Sequence, residues 1–154
     1  MSTSDRAVHS LRRFLLTILV LGMLGSATEL MLLNHHEDAK QLIPLVLIGA
    51  ALLMVAWHSA IGGAASVRAL QLTMLLFVGA GGVGVVLHFR SSMEFQLEAD
   101  PSLRGRKLYW KVLQAKAPPT LAPGVMVQLG LLGLAYAYRH PTLRRVGSGS
   151  NTGE

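Results

Sequence analysis

Five residues of types that bind transition metals lie near the ends of two apolar segments. They are Glu29, His36, His88, Glu94 and Glu98. Glu29 and His36 are seven positions apart, or two helical turns, so they share a face if a helix continues that far. Glu94 and Glu98 are spaced i and i+4 and also share a face. Because imidazole with carboxylate suits zinc, iron, manganese or copper(II), the pattern indicates a candidate divalent-metal cluster.

This cluster does not match a known metal motif. Neither H-E-x-x-H nor E-x-x-H occurs in the chain. Polar helix ends with exposed histidines are the simpler interpretation, because polar residues are ordinary at a membrane interface. The chain has no cysteine, which excludes thiolate metal sites, iron–sulfur clusters and covalently attached c-type haem. A weaker alternative is haem b held by His35 or His36 together with His88.

The elements that must position these residues are membrane spans. Hydrophobic residues make up 51% of the 154 residues and charged residues only 14%, against roughly 25% charged residues in a soluble domain. The apolar residues gather into four blocks, each long enough to cross a hydrocarbon core of ~30 Å. We therefore predict an all-α membrane protein with four transmembrane helices. The expected spans are about 14–33, 42–61, 69–89 and 121–138.

The segments outside the spans have distinct compositions. Residues 1–13 form an N-terminal extension, and the Gly/Ser-rich tail 144–154 is expected to be disordered. We expect the third helix to continue outward to Glu98 and to stop before Pro101. Residues 103–116 mix basic residues with aromatic and aliphatic ones. That mixture predicts a short amphipathic helix at the bilayer surface between spans three and four.

Positive charges beside the first span predict its orientation. If successive spans cross the membrane in alternating directions, seven Lys or Arg residues fall on each side, so their total number does not determine the orientation. Arg6, Arg12 and Arg13 precede the first span, whereas only Lys40 follows it. The positive-inside rule then places both termini in the cytoplasm and the candidate metal ligands on the other side. The first block is expected to be a retained span, because it exceeds the ~7–15 apolar residues of a signal peptide.

The run GAGGVG at 79–84 matches the pattern G-x-G-x-x-G. The dinucleotide fingerprint needs a preceding strand and an exposed helix N-terminus, and the middle of a membrane span provides neither. Small residues also let helix backbones approach each other in a membrane. We therefore expect Gly81 and Gly82 to serve close helix packing.

Other chemistry has little support in the sequence. The net charge of +6 does not indicate nucleic-acid binding, because the basic residues flank membrane spans. Neither a nucleophile elbow nor a P-loop is present. The histidines His9, His58 and His140 are expected to be surface or boundary residues near the cytoplasmic interface.

Six short runs resemble a group of small bacterial four-span integral membrane proteins that are themselves uncharacterised. The runs are LHF at 87–89, EFQLE at 94–98, DPSL at 100–103, LAPG at 121–124, GLLGL at 130–134 and YRHP at 138–141. The resemblance covers about residues 29–143. It implies four spans and a location in the bacterial inner membrane, and it implies no catalytic or ligand residue.

These features favour a multi-pass accessory or scaffold protein rather than an enzyme. Its partners would be the lipid bilayer and either another membrane protein or further copies of this chain, joined through Gly-rich helix faces. The alternative is a divalent-metal-binding membrane protein whose ligands are Glu29, His36, His88, Glu94 and Glu98. A haem b redox subunit is the weaker alternative.

The predicted orientation can be tested by cysteine labelling, because the chain has no cysteine of its own. Single cysteines introduced at Ala39 and Ser102 should react with a membrane-impermeant maleimide in intact cells, because both positions are predicted to face outward. A cysteine at Ser148 should react only after the cells are opened. The reverse pattern would place both termini outside.

Overall fold

The computed structural model describes residues 3–34, 39–114 and 121–143 of the chain. The main elements are five helices, all of them α-helices. Their bounds are α1 Thr3–Leu32, α2 Ala39–Ile61, α3 Ala64–Ala99, α4 Gly105–Leu113 and α5 Leu121–Ala137. The predicted disordered tail at 144–154 lies outside the described residues.

Three of these helices are long and apolar enough to cross a membrane. The candidate spans are Thr3–Leu32, Gln41–Ile61 and Ala64–Ala99. Helix α5 has 17 residues, which at 1.5 Å per residue gives about 26 Å, slightly less than the ~30 Å of a hydrocarbon core. By length and composition, the chain is therefore a multi-pass helical membrane protein with three long apolar helices and one shorter apolar helix.

Two helices extend well beyond the predicted spans. Helix α1 begins at Thr3 rather than near residue 14, because no Gly or Pro interrupts residues 3–14 and Asp5 complements the helix dipole in the first turn. Helix α3 runs without interruption to Ala99. The predicted continuation of the third helix to Glu98 is therefore confirmed.

The helices pack as a four-helix arrangement with α4 added at one side. Helix α1 contacts α2 and α5, whereas α3 contacts α2, α5 and α4. Helices α1 and α3 are therefore the diagonal pair. The fully buried core side chains of the bundle are Leu19 and Met23 from α1, Ile48 and Ala51 from α2, Val67, Leu70, Met74 and Phe77 from α3, and Ala137 from α5. From α5, Met126, Leu129 and Tyr136 complete the core and keep only slight exposure.

Glycines on both partners bring α3 and α5 together closely. A Cβ built on Gly81 of α3 would lie 2.8 Å from the Pro123 carbonyl oxygen and 2.9 Å from the Val127 backbone nitrogen. A Cβ on Gly130 of α5 would lie 2.8 Å from the Met74 carbonyl oxygen. These pairings run in opposite directions along the two helices, so α3 and α5 are antiparallel. The missing side chains let the two backbones touch, which adds many dispersion contacts.

The two glycines predicted to pack together behave differently. Gly81 is buried against α5, but Gly82 is exposed and no atom lies within 4 Å of a Cβ built on it. Adjacent residues of an α-helix point about 100° apart, because there are 3.6 residues per turn. Only Gly81 therefore serves helix packing inside this chain.

Helix α4 covers the part of α3 that α5 does not reach. Its side chains Leu108 and Val112 are buried, and the Tyr109 ring stacks on Phe89 of α3 with ring centroids 5.8 Å apart. The turn before α4 is closed by Asp100, whose carboxylate accepts hydrogen bonds from the backbone nitrogen and hydroxyl of Ser102. The predicted amphipathic segment is thus a short helix with a buried apolar face.

Alanine substitutions should separate the two glycines. Gly81→Ala should lower the free energy of unfolding by about 1–3 kcal/mol, because the new Cβ would collide with backbone atoms of α5. Gly82→Ala should be neutral or stabilise the helix by up to about 1 kcal/mol, the usual difference in helix propensity. Both effects can be measured by denaturant unfolding in detergent followed by circular dichroism. Equal stability of the two variants would contradict the packing role of Gly81.

Candidate functional site

The residues predicted to bind a metal do not form a cluster in the described structure. Glu29 is exposed near the end of α1, and His88, Glu94 and Glu98 are exposed along α3. His36 lies outside the described residues. Among the residues that the structure describes, no group of three or more His, Asp or Glu side chains could hold a metal ion.

Helix geometry explains why these carboxylates stay apart. A Cβ built on Gly133 of α5 would contact both Leu19 of α1 and Met74 of α3, so Leu19 and Met74 lie at the same height in the bundle. Glu29 is ten residues beyond Leu19, about 15 Å along the helix, whereas Glu94 is twenty residues beyond Met74, about 30 Å. Helices α1 and α3 are also diagonal partners. Metal binding that involves His36 stays a prediction.

A different set of polar residues converges at the opposite end of the bundle. We call it the polar end cluster; it comprises Arg12, His58, Ser66, Tyr136 and His140. His58 Nδ1 lies 2.9 Å from Ser66 Oγ, and His58 Nε2 lies 2.9 Å from the Tyr136 hydroxyl. The cluster therefore joins α2 to both α3 and α5, at the end where α2 and α5 finish and α3 begins.

The hydrogen-bond network assigns the protons of His58. Ser66 Oγ donates its proton to the Gly63 carbonyl oxygen at 2.9 Å, so it accepts from His58 Nδ1–H. His58 Nε2 then carries no proton and accepts from the Tyr136 hydroxyl. A neutral His58 protonated at Nδ1 thus satisfies every polar atom along this path, as a buried polar network requires.

Arg12 connects α1 to the end of α5. Its guanidinium donates to the carbonyl oxygens of Tyr136 at 2.7 Å, Tyr138 at 3.0 Å and Arg139 at 3.3 Å. The last carbonyls of a helix have no partners within the helix and carry partial negative charge, so a cation there is stabilising. Arg12 Nε is buried without a partner. An unpaired buried Nε costs free energy, and the hydrogen bonds from the other guanidinium nitrogens to the last carbonyls of α5 offset that cost.

His140 follows α5 and packs onto the same cluster. Its ring centroid lies 5.2 Å from that of His58 and 5.6 Å from that of Tyr136. Burial, together with the positive charge of Arg12 and with His58, lowers the pKa of His140 to about 4. Its Nδ1 accepts a hydrogen bond from the Thr142 backbone nitrogen at 3.4 Å. His140 is therefore neutral at pH 7.

The cluster corrects the expectation that His58 is a surface or boundary residue. His58 is buried, whereas His9 is exposed and His140 is half-buried, which agrees with a surface and a boundary position. The sequence contains one signal for the contact between His58 and Ser66. His58 and Ser66 flank the Gly62-Gly63 turn, which folds α3 back beside α2. The contact with Tyr136 joins residues 78 positions apart and has no local signal.

The geometry of the cluster suits a structural function. The His58, Ser66 and Tyr136 side chains satisfy one another, and Arg12 is directed to backbone carbonyls. A nucleophile or general base must instead have a free lone pair directed at substrate. The arrangement fastens four helices at one end of the bundle and fixes where α5 stops.

The fold and composition define this chain as a multi-pass helical membrane protein. Comparisons with protein-family models, curated proteins and solved structures find no match.

Acidification should destabilise the fold through His140. The unfolded chain binds a proton at this residue below about pH 6.5, the usual histidine pKa, whereas the folded protein does so only near pH 4. The melting temperature should therefore fall as the pH decreases from 6.5 to 4, and His140→Gln should reduce that slope. His9→Gln, a change at an exposed histidine, is the control. An unchanged slope in His140→Gln would contradict this account.

Proposed function

We propose that the protein is a four-span accessory or scaffold protein of the bacterial inner membrane that acts by lateral association of its helices. The observation that carries this proposal is the outward face of α3. On that face, Gly79 and Gly82 are exposed between large apolar side chains, and apart from the adjacent backbone of α3 itself no described atom lies within 4 Å of a Cβ built on either glycine.

This outward face is continuous along the helix. Its residues recur at intervals of three or four positions, the spacing of one helix face. Its apolar side chains are all more than half exposed: Leu72, Leu75, Leu76, Val83 and Val86. In water such a surface would be an aggregation hazard, whereas in a bilayer it faces lipid or another helix. The two glycines make a depression there into which a second helix can pack.

The proposal of a fourth span rests on α5. Helix α5 is apolar and packs antiparallel to α3, with Gly130 opposite Met74 and Val127 opposite Gly81. The packing of this apolar helix along a candidate membrane span supports a position for α5 within the bilayer. An even number of spans places both termini on one side, and the arginines of α1 favour the cytoplasm for that side.

The polar end cluster supports an accessory function over catalysis. Four of its side chains, those of Arg12, His58, Ser66 and Tyr136, are engaged with one another or with helix carbonyls, and His140 Nδ1 accepts from the Thr142 backbone nitrogen. On the exposed apolar face, by contrast, the five large apolar side chains are all more than half exposed in the described structure. The partner is another membrane protein or a second copy of this chain.

Leucine substitutions test the association surface. Gly79→Leu and Gly82→Leu should reduce association in native membranes at least about tenfold, because filling the depression keeps the partner helix away and loses its dispersion contacts. The protein should remain folded, because neither position contacts the rest of the chain. Association can be measured by crosslinking in membranes and by the mass of the purified complex.

The matched control is Gly49→Leu. Gly49 is an exposed glycine in the middle of α2, and no atom lies within 4 Å of its Cβ position. It should leave association unchanged. The same loss in all three variants, or no loss in any of them, would refute α3 as the association surface. A complex that contains only this chain would identify the partner as a second copy.

A further inference from the structure

An open groove lies between α3 and α4. It has a volume of about 440 Å³ and is lined by Val85, Val86, Phe89, Arg90, Met93 and Tyr109. This volume lies within the range of small-molecule binding sites. Five of the six lining residues are apolar or aromatic, and Arg90 is the charged one. The groove can therefore take a molecule that is apolar along most of its length and anionic at one point.

The position of Arg90 along α3 defines the depth of the groove. Between Arg68 and Arg90, residues 69–89 contain no Lys, Arg, Asp or Glu. These 21 residues span about 32 Å, close to the ~30 Å hydrocarbon thickness of a bilayer. Arg90 therefore lies at headgroup level, while Val85 and Val86 lie at the level of the acyl chains.

Helix α4 adds matching chemistry at the same depth. It exposes Tyr109, Trp110 and Leu113, which are 51%, 61% and 45% exposed. It also exposes the basic residues Arg106 and Lys107. Aromatic side chains favour the membrane interface, and basic residues there attract anionic lipids.

We propose that the groove between α3 and α4 binds an anionic phospholipid. An acyl chain lies along Val85, Val86 and Phe89, and the phosphate accepts hydrogen bonds from the Arg90 guanidinium. The groove opens at the depth where the acyl chains of a phospholipid meet its headgroup. A soluble anion would contact Arg90 but would make no contact with the apolar lining residues. This lipid site goes beyond lateral association, and its failure would leave the leucine experiment on α3 unaffected.

The two tryptophans of the chain provide a local assay. Trp110 follows the groove-lining residue Tyr109 on α4, and Trp57 lies at the other end of the bundle, near the end of α2. In Trp57→Phe protein reconstituted in phosphatidylcholine vesicles, brominated phosphatidylglycerol should quench Trp110 with about fivefold higher relative affinity than brominated phosphatidylcholine. A fivefold preference corresponds to the ~1 kcal/mol contributed by one basic residue near an anionic surface.

Substitutions in the same background separate the site from general surface charge. Arg90→Gln should strongly reduce the preference for phosphatidylglycerol, because it removes the one charged residue that lines the groove. Arg68→Gln, which removes the same charge at the other end of α3, should leave it unchanged. Val86→Phe should reduce quenching by both lipids, because it fills the groove from a position that is 55% exposed and so leaves the fold intact. Helical circular dichroism verifies folding of each variant.

Three results would overturn the proposal. The first is equal quenching by the two lipids in protein with Arg90. The second is an equal loss of preference in Arg90→Gln and Arg68→Gln, which would indicate general electrostatic attraction. The third is relief of quenching by millimolar glycerol phosphate, which would identify a soluble phosphate ester as the ligand. Trp110→Phe protein, in which Trp57 is the reporter, should show no lipid preference.

Discussion

The backbone contact between α3 and α5 is the constraint on which the rest of the bundle depends. Gly81 and Gly130 remove the side chains that would otherwise separate the two helices. In a bilayer the surrounding lipid is as apolar as the helix surfaces, so burial of apolar area gives little preference for one packing over another. Close contact and its dispersion energy then select the arrangement. Helices α1 and α2 then pack against this α3–α5 pair and complete the four-helix bundle.

The polar end cluster acts together with this contact. The glycines bring α3 and α5 close along their length, and the hydrogen bonds of Tyr136 and Arg12 stop α5 from sliding along α3. Polar groups within an apolar bundle are costly unless each one has a partner. Such a cluster therefore favours one register of the helices, because a shift of α5 by a turn would separate His58 from Tyr136 and leave His58 Nε2 and the Tyr136 hydroxyl buried without partners.

The length of α3 divides the molecule into two parts with different surfaces. Its first two thirds lies in the bundle, where one face contacts α5 and another presents Gly79 and Gly82 outward. Its last third extends beyond α5 and carries α4, where apolar, aromatic and basic side chains lie together. The first part offers a surface suited to another helix. The second offers a groove suited to an amphiphile. The two proposed contacts adjoin at Val86, which belongs to the outward face and also lines the groove.

The sequence by itself determined the helical class, the long apolar helices, the continuation of α3 to Glu98 and the amphipathic α4. Composition and residue spacing suffice there, because each property belongs to one segment. Only the tertiary structure decided that Gly81 is buried and Gly82 exposed, that His58 forms a hydrogen bond with Tyr136, and that Arg12 caps the C-terminal end of α5. These depend on how each helix is rotated and which helix lies beside it. Neighbouring residues point about 100° apart, so spacing within one segment cannot specify a contact between segments.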